Sequence, residues 1–181
     1  MNNKCVMLGI TGSIAAVKIP AVISMLTGHG VTVRAVMTEN AARFVTPLAI
    51  RTLTRNPVVV SLWDEPESWE PGHISLAEAA DLALVAPADA NIIGKLACGI
   101  ADDALSTELL TLRKPVVLAP AMNPRMFASP VLQDNLRRIR KLLPDTVIVG
   151  PVNGPVACGD SGCGRMSEPG EIVDAVMKLL N

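Results

Sequence analysis

Short, mostly apolar runs punctuate this chain, and they constrain its fold more than any other feature. Cys5–Ile10, Val31–Met37, Leu82–Ala86, Val116–Ala119 and Thr146–Val149 are each too short for a helix, and each gives way to turn or capping residues. Runs without strict polar alternation suit strands covered on both faces, the condition of a parallel sheet. Helical stripes fill the gaps between them. Ile19, Val22, Ile23 and Leu26 fall at i, i+3, i+4 and i+7, and Leu132, Leu136, Ile139 and Leu143 repeat the pattern. Further helices are expected at Pro47–Thr54, through Lys95 and Leu96, over Leu105–Leu112, and at the C-terminus through Ile172, Val173, Val176, Leu179 and Leu180, with a short strand at Val58–Ser61. Strand and helix alternate about six times without a linker or repeat, which predicts an α/β fold. The expected architecture is a doubly wound parallel sheet, a Rossmann-like or flavodoxin-like three-layer sandwich formed by residues 1–181 as one domain.

Composition narrows the function. Half of the residues are hydrophobic but only 2% are aromatic, so the interior is built from small aliphatic side chains. A mean hydropathy of +0.40 also predicts burial between subunits. The net charge is -1 and no basic block occurs, which argues against a nucleic-acid footprint or a polybasic membrane patch. No apolar run is long enough to span a bilayer. The charged and then apolar N-terminus mimics a signal peptide, yet Thr11-Gly12-Ser13 and an amphipathic helix follow at once, so it reads as the first strand of a cytoplasmic protein. Four cysteines are too few for a disulfide framework in a chain of this length. Cys158 and Cys163 lack zinc-site spacing, and no metal is expected.

In open parallel sheets, ligands gather beyond the carboxyl ends of the strands. Thr11-Gly12-Ser13-Ile14 stands at such an end, where free N–H groups and a helix dipole can hold a phosphate. Neither G-x-G-x-x-G nor the phosphate-loop pattern is present, so a mononucleotide fits better than a dinucleotide. Read alone, Gly12 and Ser13 also fit a simple turn and cap. Thr38, a potential N-cap, and Pro87-Ala88-Asp89-Ala90-Asn91 would add polar groups around the same ligand. Pro120 ends the run Val116–Ala119 and brings Ala121, Met122 and Asn123 to the mouth of a pocket, where the Asn123 amide can orient a carboxylate. His73 precedes an apolar segment and suits a general base near neutral pH. Leu62–Gly72, with both tryptophans, reads as a surface excursion or subunit contact. Ser129-Pro130 reads as an N-cap and first helical residue. A Gly-rich loop is expected over Gly150–Met166, its thiol-bearing part able to fold over a ligand.

Together these segments resemble the homo-oligomeric flavin-containing cysteine decarboxylases over almost the whole chain. The resemblance rests on Gly12-Ser13-Ile14-Ala15-Ala16, His73-Ile74-x-Leu76, Pro87-Ala88-Asp89-Ala90-Asn91, Gly99-Ile100-Ala101-Asp102-Asp103, Pro120-Ala121-Met122-Asn123 and Ala157-Cys158-Gly159-Asp160-x-Gly162-x-Gly164-Arg165-Met166, all in the family's order. It implies FMN held by Gly12, Ser13, Ile14, Thr38, Asp89, Ala90, Asn91, Ile92, Asp102 and Ala121. It implies catalysis by His73 and Cys158, with substrate bound by Asn123, Met122, Ala157 and Arg165. It also implies homotrimers, or assemblies of trimers, with each site at a subunit junction.

The implied chemistry is oxidation of a cysteine thiol to a thioaldehyde, loss of the carboxylate to give an enethiolate, and reduction back to the thiol level. His73 assists the first proton removal and Cys158 protonates the enethiolate. The Cys158 flap favours the branch that makes 4′-phosphopantetheine from 4′-phosphopantothenoyl-L-cysteine for coenzyme A biosynthesis. The alternatives are oxidative decarboxylation of a C-terminal peptidyl cysteine and a non-enzymatic flavin-binding regulatory subunit. Three substitutions depart from the family pattern. Asp89 replaces Ser and Ile92 replaces Thr, which sets a carboxylate near the expected flavin phosphate unless Asp89 turns away or meets Lys95; Phe127 replaces Trp. The resemblance further implies that cysteine ligation falls to another protein, since residues 1–181 leave no room for a ligase domain.

Overall fold

The computed structural model describes residues 4–63, 76, 78–155, 159 and 161–181. Six parallel strands form the central sheet: β1 (Cys5–Ile10), β2 (Thr32–Met37), β3 (Val58–Val59), β4 (Leu82–Ala88), β5 (Val116–Pro120) and β6 (Thr146–Ile148). Their spatial order is β3-β2-β1-β4-β5-β6, the Rossmann order, with the switch point between β1 and β4.

Of the runs that read as doubly covered strands, β1, β4 and β5 are buried throughout, whereas β6, expected to be a core strand, lies at the sheet edge and is half-buried. Along β1, Val6, Leu8 and Ile10 enter one buried layer with α1 (Ile19–Gly28) and the last helix, while Met7 enters the other. On the second face lie α3 (Ala90–Cys98), α4 (Ala104–Thr111) and α6 (Pro130–Leu142). The last helix is α7 (Pro169–Leu180), and α2 (Pro47–Thr54) precedes β3. Local chemistry fixes the helix ends. Thr46 accepts from the Ala49 N–H at 3.2 Å to start α2, and Gly99 closes α3 with φ +68, a conformation cheap for glycine.

Several boundaries differ from expectation. β4 continues through Pro87 and Ala88, and β5 includes Pro120, which pairs with Ala88 across a shifted register. The shift changes the alternation: Ala86 joins the layer of Leu82 and Leu84, whereas Ala88 joins that of Ala83 and Val85. Pro120 therefore does not push the chain out of the sheet, because at the carboxyl end of the strand the bulge leaves no ladder bond for its missing N–H to break. Ser129 makes no side-chain cap on α6. Leu143, expected on the buried stripe of that helix, is 37% exposed. A short helix not expected from the sequence, α5 (Pro124–Phe127), follows β5. The Gly-rich stretch is more than a loop: β7 (Val152–Pro155) and β8 (Ser161–Arg165) form an antiparallel ribbon. Residues 64–72 of the expected excursion lie outside the described residues, while Trp63 is 89% exposed. No helix among the described residues is long and apolar enough to cross a membrane.

Candidate active site

At the switch point one hydroxyl ties the two halves of the sheet together. Thr11, fully buried just past β1, donates to the Pro87 carbonyl at 2.7 Å and accepts from the Asp89 N–H at 3.0 Å. Beyond it the chain turns tightly. Gly12 packs so closely that a Cβ there would stand 2.6 Å from Asn40 Cβ, and the Ser13 side chain accepts from Ala15 N–H at 3.4 Å to start a 3-10 turn, Ile14–Lys18.

A cavity of about 400 Å³ opens beside that turn. One wall is the turn itself, from Ser13 to Lys18; the second is Ala121, Met122 and Asn123 after β5; the third is the ribbon, through Pro155, Gly164, Arg165 and Met166. Its volume falls in the usual range of ligand pockets, and its lining is mostly apolar with few polar side chains. The ribbon is docked by a hydrogen bond from Met122 N–H to the Gly164 carbonyl at 3.0 Å. A Cβ on Gly164 would run into the Met122 carbonyl oxygen. Asn123 starts α5, accepting from Arg125 N–H through Oδ1 at 2.8 Å. That bond fixes the orientation of the amide, whose other polar group is an N–H₂ donor of the kind a carboxylate accepts.

Ser13, Ile14, Ala121, Met122, Asn123 and Arg165 thus line one cavity. The other expected cofactor residues stand outside that lining. Thr38 receives the Ala41 N–H on Oγ1 at 3.2 Å, tying it to the following turn, Ala41–Arg43, whose N-cap residue is Asn40 rather than Thr38. Asp89 neither meets Lys95 nor stands unpaired: Oδ1 accepts the Ile92 N–H at 2.9 Å and caps α3. Ile92 has its side chain in the core, while Ala90 and Asn91 lie in the first turn of that helix.

Lys95 instead bridges Asp102 and Asp103 at 2.6 Å each. Burial works against its charge, and the two carboxylates outweigh burial to raise its pKa above the ordinary lysine value. Burial likewise works against the charge on Asp103, but hydrogen bonds from Lys95 and Ser106 lower its pKa on balance. Asp102 therefore braces the loop before α4, next to the helix-capping Asp103. His73, Ala157 and Cys158 lie outside the described residues. Among the described residues, no group of three His, Cys, Asp or Glu could hold a metal ion.

Sequence reasoning missed Lys18 and Glu168. Lys18 lines the cavity and holds both carboxylate oxygens of Glu168 at 3.1 Å. A contact across 150 positions leaves no local signal. Thr11 did leave one, as a hydroxyl closing an apolar run.

The Flavoprotein family profile matches residues 1–181. The chain belongs to the Flavoprotein family. Over 176 residues this flavoprotein is 43% identical to the coenzyme A biosynthesis bifunctional protein CoaBC of Haemophilus influenzae. It is 44% identical over 179 residues to that of Bacillus subtilis. These matches take in 97% and 98% of the flavoprotein but 44% and 43% of the relatives, so it spans less than half the length of the curated relatives it matches.

Among solved structures, the flavoprotein is similar to a cysteine-to-serine mutant of PPC decarboxylase complexed with pantothenoylaminoethenethiol, with a TM-score of 0.86, 29% identity and 99% of both chains covered. SpaF, described as an FMN-dependent cysteine decarboxylase, matches with a TM-score of 0.82, 30% identity and 98% of both chains covered. The FMN binding protein AtHal3 matches with a TM-score of 0.81 and 31% identity, over 98% of the flavoprotein and 96% of that chain.

Proposed function

We propose that the flavoprotein is an FMN-dependent carboxy-lyase converting 4′-phosphopantothenoyl-L-cysteine to 4′-phosphopantetheine in cytoplasmic coenzyme A biosynthesis. The observation that carries this reading is the apolar cavity at the switch point, which gathers Ser13, Met122, Asn123 and Arg165. The likeness to PPC decarboxylase over 99% of both chains and the coenzyme A biosynthesis relatives support it.

The residues at the strand ends fit FMN. Apolar side chains from Ile14, Ala121 and Met122 suit a flat ring system, and the Ser13 hydroxyl adds a polar group to the same wall, the Ser13 N–H being held by the Thr11 carbonyl. Thr38, the Asp89–Ile92 turn and Asp102 complete the proposed cofactor set. The Asp89 carboxylate already accepts a backbone N–H, so the acid in place of the family's Ser serves the helix start. When bound, FMN supplies a two-electron acceptor and donor.

The chain's own residues then divide the work on the substrate. Asn123 donates to the substrate carboxylate and holds it, a neutral donor orienting the leaving group without pinning its charge. The apolar wall excludes water from the carbanion equivalent left behind. In this reading His73 assists removal of the proton as the thiol is oxidised, and Cys158, beside Ala157 on the segment between β7 and β8, protonates the enethiolate. We assign the working form as a homotrimer or an assembly of trimers with the site at a subunit junction. Ile14 and Val17, on the cavity wall yet 50% and 54% exposed, support an apolar surface that a second subunit covers.

The test is anaerobic incubation of FMN-loaded protein with 4′-phosphopantothenoyl-L-cysteine, with mass spectrometry of the product. The expected product has lost carbon dioxide alone. A product that has also lost two hydrogens would move the peptidyl-cysteine reading forward. An unchanged substrate would refute the decarboxylase assignment and leave the flavin-binding regulatory reading.

A further inference from the structure

Two cations stand on the wall of the cavity, and they come from opposite ends of the chain. Lys18 closes the 3-10 turn after β1, and Arg165 ends β8. Both bind one carboxylate, that of Glu168: Lys18 Nζ at 3.1 Å from each oxygen, and Arg165 through Nη2 to Oε1. Glu168 is itself fixed, since it forms the capping box of α7 with Glu171 and is followed by Pro169. The shared glutamate thus positions a lysine and an arginine side by side and neutralises only one of their two charges.

A net positive charge is unusual on a wall that is otherwise apolar apart from Ser13 and Asn123. An ammonium has three donors and a guanidinium five, so Glu168 leaves several unused. Lys18 and Arg165 are 29% and 41% exposed, open enough to meet a ligand.

We propose that Lys18, together with Arg165 and positioned by Glu168, is the specificity-determining anchor for a phosphate carried by the substrate. This rests on the decarboxylase reading and extends it. The substrates compared above share a cysteine carboxylate, the group Asn123 would orient, so that anion cannot distinguish them. They differ in whether a second, doubly charged anion is present. A cavity that places two cations within the same space as Asn123 is complementary to a ligand with two anionic ends. A peptide C-terminus would bring backbone amides to those cations and leave them uncompensated.

The test compares 4′-phosphopantetheine with pantetheine by titration calorimetry on the FMN-loaded protein. The unaltered protein is expected to prefer the phosphorylated ligand. Lys18→Gln should weaken that ligand about tenfold or more, the loss of a charge-assisted hydrogen bond, and leave pantetheine within about twofold. Lys18→Arg should restore most of the preference. Glu168→Gln keeps a capping oxygen but removes the neutralising charge, and should tighten the phosphorylated ligand.

Three results would overturn the proposal: no preference in the unaltered protein, equal weakening of both ligands by Lys18→Gln, or a Lys18→Gln effect confined to the affinity for FMN relative to riboflavin. The last would assign the two cations to the cofactor's phosphate. Because the readout is binding, it separates from the decarboxylase reading: a phosphate preference without release of carbon dioxide would retain the anchor and reject the reaction.

Discussion

Glu108 is the only acidic or basic residue buried among the described residues, 2% exposed on α4 between Leu105 and Leu109 in the apolar layer. Its Oε2 has no hydrogen-bond partner, and burial pushes its pKa from about 4.5 to about 8. The acid is therefore neutral in the folded protein at pH 7, and its ionisation opposes folding. Below pH 4.5 both folded and unfolded forms are protonated and the contribution is fully favourable. As pH rises above that, the unfolded chain ionises first, and stability falls by about 1.4 kcal/mol per pH unit until the folded pKa is passed. Thermal melting from pH 5 to 9 should show this decline in the unaltered protein. Glu108→Gln should flatten it and be the more stable of the two at pH 8; an unchanged slope would mean that Glu108 is solvated or paired in solution. The sequence gives little warning of this residue, since a glutamate in a helix is normally read as part of its solvated face.

At the scale of elements, the ribbon β7–β8 forms the third wall of the cavity, and its seat is a backbone contact. Gly164 lies against Met122 and Pro124 with no room for a Cβ, and the neighbours are backbone atoms that cannot rotate away. Gly164→Ala is expected to lift the ribbon, costing about 1–3 kcal/mol of stability and weakening flavin and substrate binding more than melting alone would explain. Flavin fluorescence titration beside a melting curve separates the two; a variant that melts lower but binds normally would show that this wall is not needed. The ribbon also marks where the sequence stopped being legible. Strands β1 and β5 and helices α1 and α2 could be read because their apolar spacing is local. Gly154, Gly162 and Gly164 suggested only a loop, because what pairs β7 with β8 is backbone hydrogen bonding and contact with Met122, neither of which requires a side-chain pattern. Asp89 shows the same limit: as a residue type it suggested repulsion toward a phosphate, while its actual partner is the N–H three residues on.

At the scale of the whole molecule, the sheet consists of two halves that meet between β1 and β4, and the site straddles their junction. Strand pairing along Val6–Gly9 joins the bodies of these strands. Their carboxyl ends, where the ligand groups stand, are joined by the Thr11 hydroxyl, which meets an acceptor at the end of β4 and a donor just beyond it at once. Thr11→Val preserves shape but removes both bonds, leaving the Pro87 carbonyl and the Asp89 N–H without that partner in a buried setting. The expected cost is about 2–6 kcal/mol of stability, from about 1–3 kcal/mol for each of the two groups left unsatisfied. A larger effect is expected on function than on fold, because the bodies of the strands remain paired while the turn at Gly12 and the cap at Asp89 lose their common reference point. Denaturant unfolding and FMN titration of the same variant measure the two losses. A fall in stability with FMN affinity unchanged would mean that the two halves hold their relative position without the hydroxyl. A fall in both, with flavin affinity reduced beyond the stability loss, would establish Thr11 as the residue that registers one half of the site against the other.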